Sequence, residues 1–448
     1  MTAAHTDVAI IGAGPAGMSA AIAACEHGLS VTVLDEQAAA GGQIWRGVLA
    51  APKERMRILG EDYAAGAQVA QAFGTCGARH LRGAAVWQVT RERLISYLHD
   101  GAHHELQAGK VIVCTGAMER PFPIPGWTLP GVMTAGAGQI LLKSAGLAPQ
   151  VPVVLAGCGP LLLLLAAQYL RAGVHIAAVV DTTGPADWRR ALPLLPQALR
   201  DWRLLAKGRG LLRELRASGT AIYTGATALA IEGEHQAAAI RFDTPQGPRH
   251  VEAGLVLLHH GIIPNTQLTR SLQAEHDWDE TQLCWHPRAS AQGALADMEG
   301  FYVAGDSARI MGAAASAVSG RICGLAAAGA PTESAQLQLA KLCAARPFLD
   351  RLYRPQDALR IPQGDTIVCR CEEITAREIR GHVANGCAGP NQLKSFTRCG
   401  MGPCQGRQCG ITVSELIAQE RSLSPAVIGY QRVRAPIKPV SVGELAGL

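Results

Sequence analysis

The tightest constraint on this 448-residue chain comes from the stretch Val8 to Glu36. An apolar run from Val8 to Ile11 meets Gly12-Ala13-Gly14-Pro15-Ala16-Gly17. An alanine-rich segment continues to Cys25, and a second apolar run, Val31 to Leu34, ends on Asp35-Glu36. The periodicity reads as strand, glycine turn, helix, strand, which is a dinucleotide-binding βαβ unit. Gly12 allows the tight turn, Gly14 lets backbone approach a pyrophosphate, and Gly17 lets the helix lie close on the strand. Pro15 and Ala16 complete the loop at the positive end of the helix, where a pyrophosphate sits. Asp35 is the expected acceptor for an adenosine ribose, with Glu36 as its neighbouring substitute. This stretch alone leaves FAD and NAD both open.

A chain of this length suggests two or three domains. With 48% hydrophobic and 17% charged residues it is a globular rather than a disordered sequence. A formal net charge of +5 spread over 448 residues makes no case for nucleic acid. The N-terminus carries no basic region before its apolar run, so no cleaved signal is expected. The segment Val151 to Leu170 is apolar enough to resemble a membrane span, but Gly157-Cys158-Gly159-Pro160 interrupts it, and a buried strand and helix is the better reading. No integral membrane segment is expected.

After Glu36, the run Gly41-Gly42-Gln43-Ile44-Trp45-Arg46 offers glycines that let backbone pass close to a ligand and an amide at Gln43. Pro52 to Ala72 reads as helical, and Ala84 to Val89 and Arg91 to Leu98 as two short strands. The strand Val111 to Cys114 enters Thr115-Gly116-Ala117, a tight turn expected beside the nucleotide. Glu119 to Val132, with prolines at 121, 123, 125 and 130, reads as an extended domain crossover.

A second βαβ unit follows: Val153 to Ala156, then Gly157-Cys158-Gly159-Pro160-Leu161-Leu162, a helix to Ala172, and Val174 to Val180 ending on Asp181. Leu162 stands where the third glycine belongs. A leucine there pushes the helix away or rotates it, which alters the phosphate pocket and makes NAD(P) a doubtful ligand. Thr182 to Ala217 reads as a basic helical face, solvated or facing a partner protein. His259-His260 follow the last strand of this region and read as packing residues rather than metal ligands.

Phe301 to Val303 leads into Ala304-Gly305-Asp306, followed by a small-residue helix from Gly312 to Ala327. In two-domain flavoproteins an aspartate so placed accepts from a ribityl hydroxyl, and the helix N-terminus faces the isoalloxazine, whose reduced form gains negative charge. The order of the two motifs around an inserted βαβ unit assigns FAD to the first.

Thirteen cysteines in a chain without a signal argue against disulfides, and six of them lie between Cys369 and Cys409. Cys369-x-Cys371 and Cys404-x4-Cys409 are two close pairs separated by thirty-two residues. Four thiolates can hold [2Fe–2S], [4Fe–4S] or zinc, and glycines around Cys404 favour iron–sulfur by freeing N–H groups for cluster sulfides. Cys387 and Cys399 are the spare thiols, with Cys399 the first alternative ligand. Arg432 to Val440 should be an extended arm.

The nucleotide motifs, the Glu119 to Val132 stretch, Gly305-Asp306 and the terminal Cys369-x-Cys371 with Gly400-Met401-Gly402-Pro403-Cys404-Gln405-Gly406-x-x-Cys409 carry a resemblance. The chain is similar to the α (FAD-containing) subunits of heteromeric dye-linked opine and D-hydroxyproline dehydrogenases, the octopine/nopaline oxidase and hydrogen cyanide synthase group. Its last segment resembles bacterioferritin-associated-ferredoxin-like [2Fe–2S] domains. The resemblance implies an α/β fold with two Rossmann-like dinucleotide-binding domains of the glutathione/thioredoxin-reductase type plus that small domain. The expected limits are 1–145 with 270–330 for the FAD domain, 146–269 for the second domain, 331–363 for a linker with a helix from Gln336 to Cys343, 364–420 for the [2Fe–2S] domain and 421–448 for the arm.

The resemblance further implies that the partner is a D-amino-acid-oxidase-like flavoprotein, the β subunit, in which an amine is oxidised, with room for a small third subunit. Some relatives hold FMN or a second FAD near that interface. Placement is expected to be cytoplasmic, with peripheral attachment at the inner membrane as the variant. The expected role is an electron-transfer flavo-iron–sulfur subunit. The alternative is an NAD(P)H-dependent FAD/[2Fe–2S] acceptor reductase, and no residue of this chain is assigned as catalytic.

Overall fold

The computed structural model describes residues 4–446, which divide into two compact units. The first holds 4–118, 263–343 and 432–446, and the second holds 119–262 and 344–431.

The first unit is built on a seven-stranded sheet. Ala4–Ile11 lies between Val31–Asp35 and Ala102–Val113, parallel to both, and Arg79–Arg82 adds outside Val31–Asp35. Val8, Ala9 and Ile10 are wholly buried, as expected for a central parallel strand covered on both faces. Leu94–His99 and Ala85–Val89 extend the sheet in antiparallel fashion, and Phe301–Val303 pairs in parallel with the end of Ala102–Val113.

Two helices made of small residues, Pro15–Glu26 and Ala313–Ala327, touch backbone to backbone. A Cβ on Gly320 would stand 1.9 Å from the Ala16 carbonyl oxygen, and one on Gly324 would stand 2.4 Å from that of Ala20. Glycine is therefore a packing requirement at both positions. The region expected as helical from Pro52 divides into Lys53–Leu59, Glu61–Ala64 and Gly66–Thr75, with Gly60 at φ 90° making the first break. The arm is extended from Arg432, with Val433 and Ile437 buried and the Ile437 N–H donating to the Trp87 carbonyl at 2.9 Å.

The second unit carries a five-stranded parallel sheet in the order Ala221–Thr224, Ile176–Asp181, Val153–Cys158, Leu255–His260, Val132–Thr134. Val151 to Leu170 forms a buried strand and the helix Pro160–Arg171, and no described helix is long and apolar enough to cross a membrane. The basic stretch after Thr182 forms the helix Pro185–Ala191 and then, at Pro193 and Pro196, short turns before Trp202–Ala217. His259 and His260 are the last residues of their strand, opposite Gly157 and Cys158.

The expected linker helix is present as Glu333–Leu342, and two further helices follow it. Glu333–Leu342 belongs to the first unit, while Arg346–Leu352 and Asp357–Arg360 belong to the second. The cysteine region folds as three helices, Ala376–Ala384, Pro390–Thr397 and Gly410–Glu420, over a core of Ile379, Leu393, Leu416 and Ile417. Thr375 and Glu378 form a reciprocal capping box at its first helix. Two polar links tie this region to the rest of its unit. The Trp127 indole N–H donates to the Ile367 carbonyl at 2.7 Å, and Arg360 pairs with Glu415, both side chains buried.

Candidate functional site

The first unit gathers its predicted nucleotide residues at the carboxyl ends of the parallel strands. Gly17 presses on Gly12, since a Cβ there would meet the Gly12 carbonyl oxygen at 1.8 Å. Gly12 itself has φ 102° and presses on the Cys114 carbonyl, next to Thr115. Gly42 lies on Gly14, where its Cβ would stand 2.9 Å from the Gly14 Cα, and the Gly41 N–H donates to the Ala13 carbonyl at 2.8 Å. The Gly41-Gly42 turn and the phosphate loop thus form one surface. A Cβ on Gly14 would make no close contact, its nearest neighbour being the Gly42 Cα at 3.8 Å. That is the cradle a pyrophosphate needs, at the N-terminus of Pro15–Glu26.

Gly305 meets Ala16, with 2.8 Å between its missing Cβ and the Ala16 methyl. Asp306 accepts on Oδ1 from the Met311 N–H at 2.8 Å, the Gly312 N–H at 3.1 Å and the Ser316 hydroxyl at 3.2 Å. Those bonds hold the carboxylate at the start of Ala313–Ala327 and leave Oδ2 for a ligand hydroxyl. The Thr115 hydroxyl donates to the Asn265 carbonyl at 3.0 Å, and the Asn265 N–H donates to the Gly116 carbonyl at 2.9 Å. Gln43 accepts from Arg46 at 3.0 Å.

The two acids at the end of the second strand are placed differently. Asp35 is buried, and both carboxylate oxygens are taken by backbone. Oδ2 accepts from the Ala13 N–H at 2.6 Å and Oδ1 from the Gln37 N–H at 2.8 Å. Asp35 therefore braces the phosphate loop. Glu36 is the exposed neighbour, and its carboxylate contacts the Lys438 ammonium of the C-terminal arm.

In the second unit the corresponding loop is tighter and already covered. Gly157 presses on the His259 carbonyl, with 1.7 Å to its missing Cβ, and Leu162 is fully buried. His259 Nδ1 bonds Glu119 Oε1 at 2.7 Å, and Glu119 Oε2 accepts from the Gly136 N–H at 2.8 Å. His260 stacks on Phe122 at 4.1 Å, and burial, followed by the charge of Arg120, drives its pKa well below the ordinary value. His259 is thus tied to a carboxylate and His260 is packed on an aromatic ring.

At the ends of these strands the chain makes contacts of its own. The Cys158 thiol donates to the Tyr353 carbonyl at 3.6 Å, and the Gln356 amide donates to the Thr182 carbonyl at 2.5 Å and the Ala226 carbonyl at 3.4 Å. Burial raises the Tyr353 pKa first, and the fields of Asp181 and Cys158 raise it further. Tyr353 thus lies close to Cys158 of the glycine loop and to Asp181 at the end of the next strand. Burial also pushes Asp181 up to about 6. The sequence reading missed this segment because nothing local in Arg346 to Arg360 marks it for these contacts.

The cysteine region brings five thiols together. Cys369, Cys399 and Cys409 place their sulfur atoms within 4.8 Å of one another, with Cys399 Sγ to Cys409 Sγ at 4.0 Å. Cys371 neighbours Cys404, and Gly402 packs against it, its missing Cβ 2.3 Å from the Cys371 Cβ. Of the four expected ligands, Cys369 and Cys409 fall in the tight trio and Cys371 and Cys404 form a neighbouring pair. Cys399 joins the trio, while Cys387 donates to the Gly389 carbonyl. Hydrogen bonds from Cys399 and Cys409 hold the Cys369 pKa far down. A donor set of thiols alone suits an iron–sulfur cluster or zinc.

Residues 6–320 match the pyridine nucleotide-disulphide oxidoreductase family, and residues 363–448 match the sarcosine oxidase A3 domain. The opine oxidase A-type subunit of Agrobacterium tumefaciens (strain Ach5) is 43% identical, across 99% of this chain and 92% of that protein. The hydrogen cyanide synthase protein HcnB of Pseudomonas protegens is 31% identical, across 96% and 95%. Among solved structures, L-proline dehydrogenase from P. horikoshii aligns with a TM-score of 0.71 over 99% of this chain and 79% of that one. At 19% identity that likeness speaks for the fold alone. The chain belongs to the pyridine nucleotide-disulphide oxidoreductase family of FAD-dependent oxidoreductases, in the group of opine oxidase A-type subunits.

Proposed function

We propose that this chain is the electron-transfer component of a heteromeric amino or imino acid dehydrogenase. Its partner is a D-amino-acid-oxidase-like flavoprotein that oxidises an opine or a similar secondary amine. FAD would be held by Gly12, Gly14, Pro15, Ala16 and Gly17 at the pyrophosphate, Gly42 and Gln43 beside it, Thr115 and Gly116 under it, and Gly305 and Asp306 at the ribityl chain. Glu36 takes the ribose in place of Asp35, whose oxygens are committed to the loop. Four of the five clustered thiols, Cys369, Cys371, Cys404 and Cys409, would hold a [2Fe–2S] cluster, with Cys399 as the competing ligand.

FAD takes electrons in pairs and an iron–sulfur cluster takes them singly, so together they suit delivery to a one-electron acceptor. The chain's own residues bind and orient. Backbone N–H groups at the start of Pro15–Glu26 offset phosphate charge, and the start of Ala313–Ala327 favours an anionic ligand.

The contacts of Tyr353 and Gln356 at the strand ends of the second sheet favour this reading over the NAD(P)H-dependent reductase. A reductase needs a donor site, and contacts of Tyr353 and Gln356 with the glycine loop and the strand ends would compete with a nucleotide there. The purified chain should resist bleaching by NADH and reduce a dye with an amine only when coexpressed with the oxidase-like partner. Catalytic bleaching by NADH alone would reverse the assignment. Iron and sulfide analysis of Cys404→Ser and Cys399→Ser separates the ligand sets, because only removal of a true ligand lowers iron content.

A further inference from the structure

The C-terminal arm reaches the acid at the end of the second strand, although the two lie at opposite ends of the sequence. The arm is held immediately before this contact. Val433 and Ile437 are buried, and the Ile437 N–H is bonded to the Trp87 carbonyl. Lys438 follows directly, with only 28% of its side chain exposed, and places its ammonium on Glu36 Oε2. Asp35 also faces the ammonium, and its charge opposes the cost of burial. Glu36 is the one acid of the pair whose carboxylate is not consumed by the phosphate loop.

We propose that Lys438 is a nucleotide-positioning residue. It holds the Glu36 carboxylate by one oxygen so that the other meets the 2′,3′-diol of an adenosine ribose, and the arm thereby closes the adenosine end of the site. This rests on the assignment of FAD to the first unit, but the ribose contact is common to every adenine dinucleotide. The effect therefore belongs to ligands carrying adenosine, and FMN, which lacks it, is indifferent to Lys438. Removing the ammonium leaves Glu36 free to swing into solvent, and a charged contact of this exposure corresponds to about a tenfold loss of affinity.

The test uses the full chain stripped of flavin. Lys438→Met, Lys438→Arg, Glu36→Gln and the Lys438→Met/Glu36→Gln double variant are titrated with FAD and FMN by fluorescence and with ADP by calorimetry. Lys438→Met should weaken FAD and ADP about tenfold and leave FMN and the apoprotein melting temperature unchanged. Lys438→Arg should recover most of the loss, and the double variant should bind no worse than Glu36→Gln. Wild-type affinity for FAD and ADP in Lys438→Met, or an equal loss for FMN, overturns the proposal. If the wild-type chain binds ADP but no FAD, the FAD assignment falls while the ADP series still decides the role of Lys438.

Discussion

Two glycines three residues apart should respond to alanine in opposite ways. At Gly17 the added methyl carbon would lie 1.8 Å from the Gly12 carbonyl oxygen. An ordinary contact requires about 3.4 Å, so the helix Pro15–Glu26 must retreat by roughly 1.5 Å, at an overpacking cost of about 1–3 kcal/mol. At Gly14 the new Cβ meets nothing nearer than 3.8 Å, and φ −76° with ψ −173° is open to any L-residue. Gly14→Ala should therefore fold within about 0.5 kcal/mol of the wild type. Its methyl group would occupy the face the pyrophosphate must approach, so FAD affinity should fall at least about 100-fold, which is about 2.7 kcal/mol. Urea denaturation of apoprotein and FAD fluorescence titration measure the two effects separately. A Gly14→Ala protein that binds FAD like the wild type would refute the phosphate-approach argument, and a Gly17→Ala protein of undiminished stability would refute the packing argument.

Other expectations follow from the same geometry. Arg360→Met strands Glu415, whose pKa burial already raises, and should cost about 3–5 kcal/mol in denaturation; Arg360→Met/Glu415→Leu should regain most of it. His276 and His286 have folded pKa values of about 3 and about 4, lowered first by burial and then by Arg270 and Arg309 respectively. Both lie below the unfolded value near 6.5, so the unfolded chain binds these protons first as pH falls. Each histidine should then remove up to about 2 kcal/mol of stability between pH 7 and pH 5, and His276→Asn should lessen that loss. Tyr353→Gly should leave FAD content intact and loosen hydrogen-exchange protection in residues 346–360. Unchanged protection there would argue against Tyr353 as its anchor.

Local pattern was enough for much of this molecule. The spacing of Gly12, Gly14 and Gly17 between two apolar runs, the Gly305-Asp306 turn before a helix of small residues, and the clustered cysteines each announce their chemistry, because backbone approach and thiolate ligation depend on residue type at short range. The parallel strands read equally well, since burial on both faces leaves an unbroken apolar run. What local pattern did not carry was the choice between chemically equal candidates. Asp35 and Glu36 are adjacent carboxylates, and only folding directs the Ala13 and Gln37 N–H groups onto Asp35 and brings Lys438 to Glu36. Cys399 is one thiol among six until the chain turns it to within 4.0 Å of Cys409. The segment from Arg346 to Arg360 reads as a connection until Tyr353 and Gln356 are seen at the strand ends of the second sheet. Sequence determined which groups this protein possesses and where its nucleotide turns lie. Tertiary structure decided which of them are spent on holding the fold, because a hydrogen bond between distant residues leaves no trace in the order of the chain.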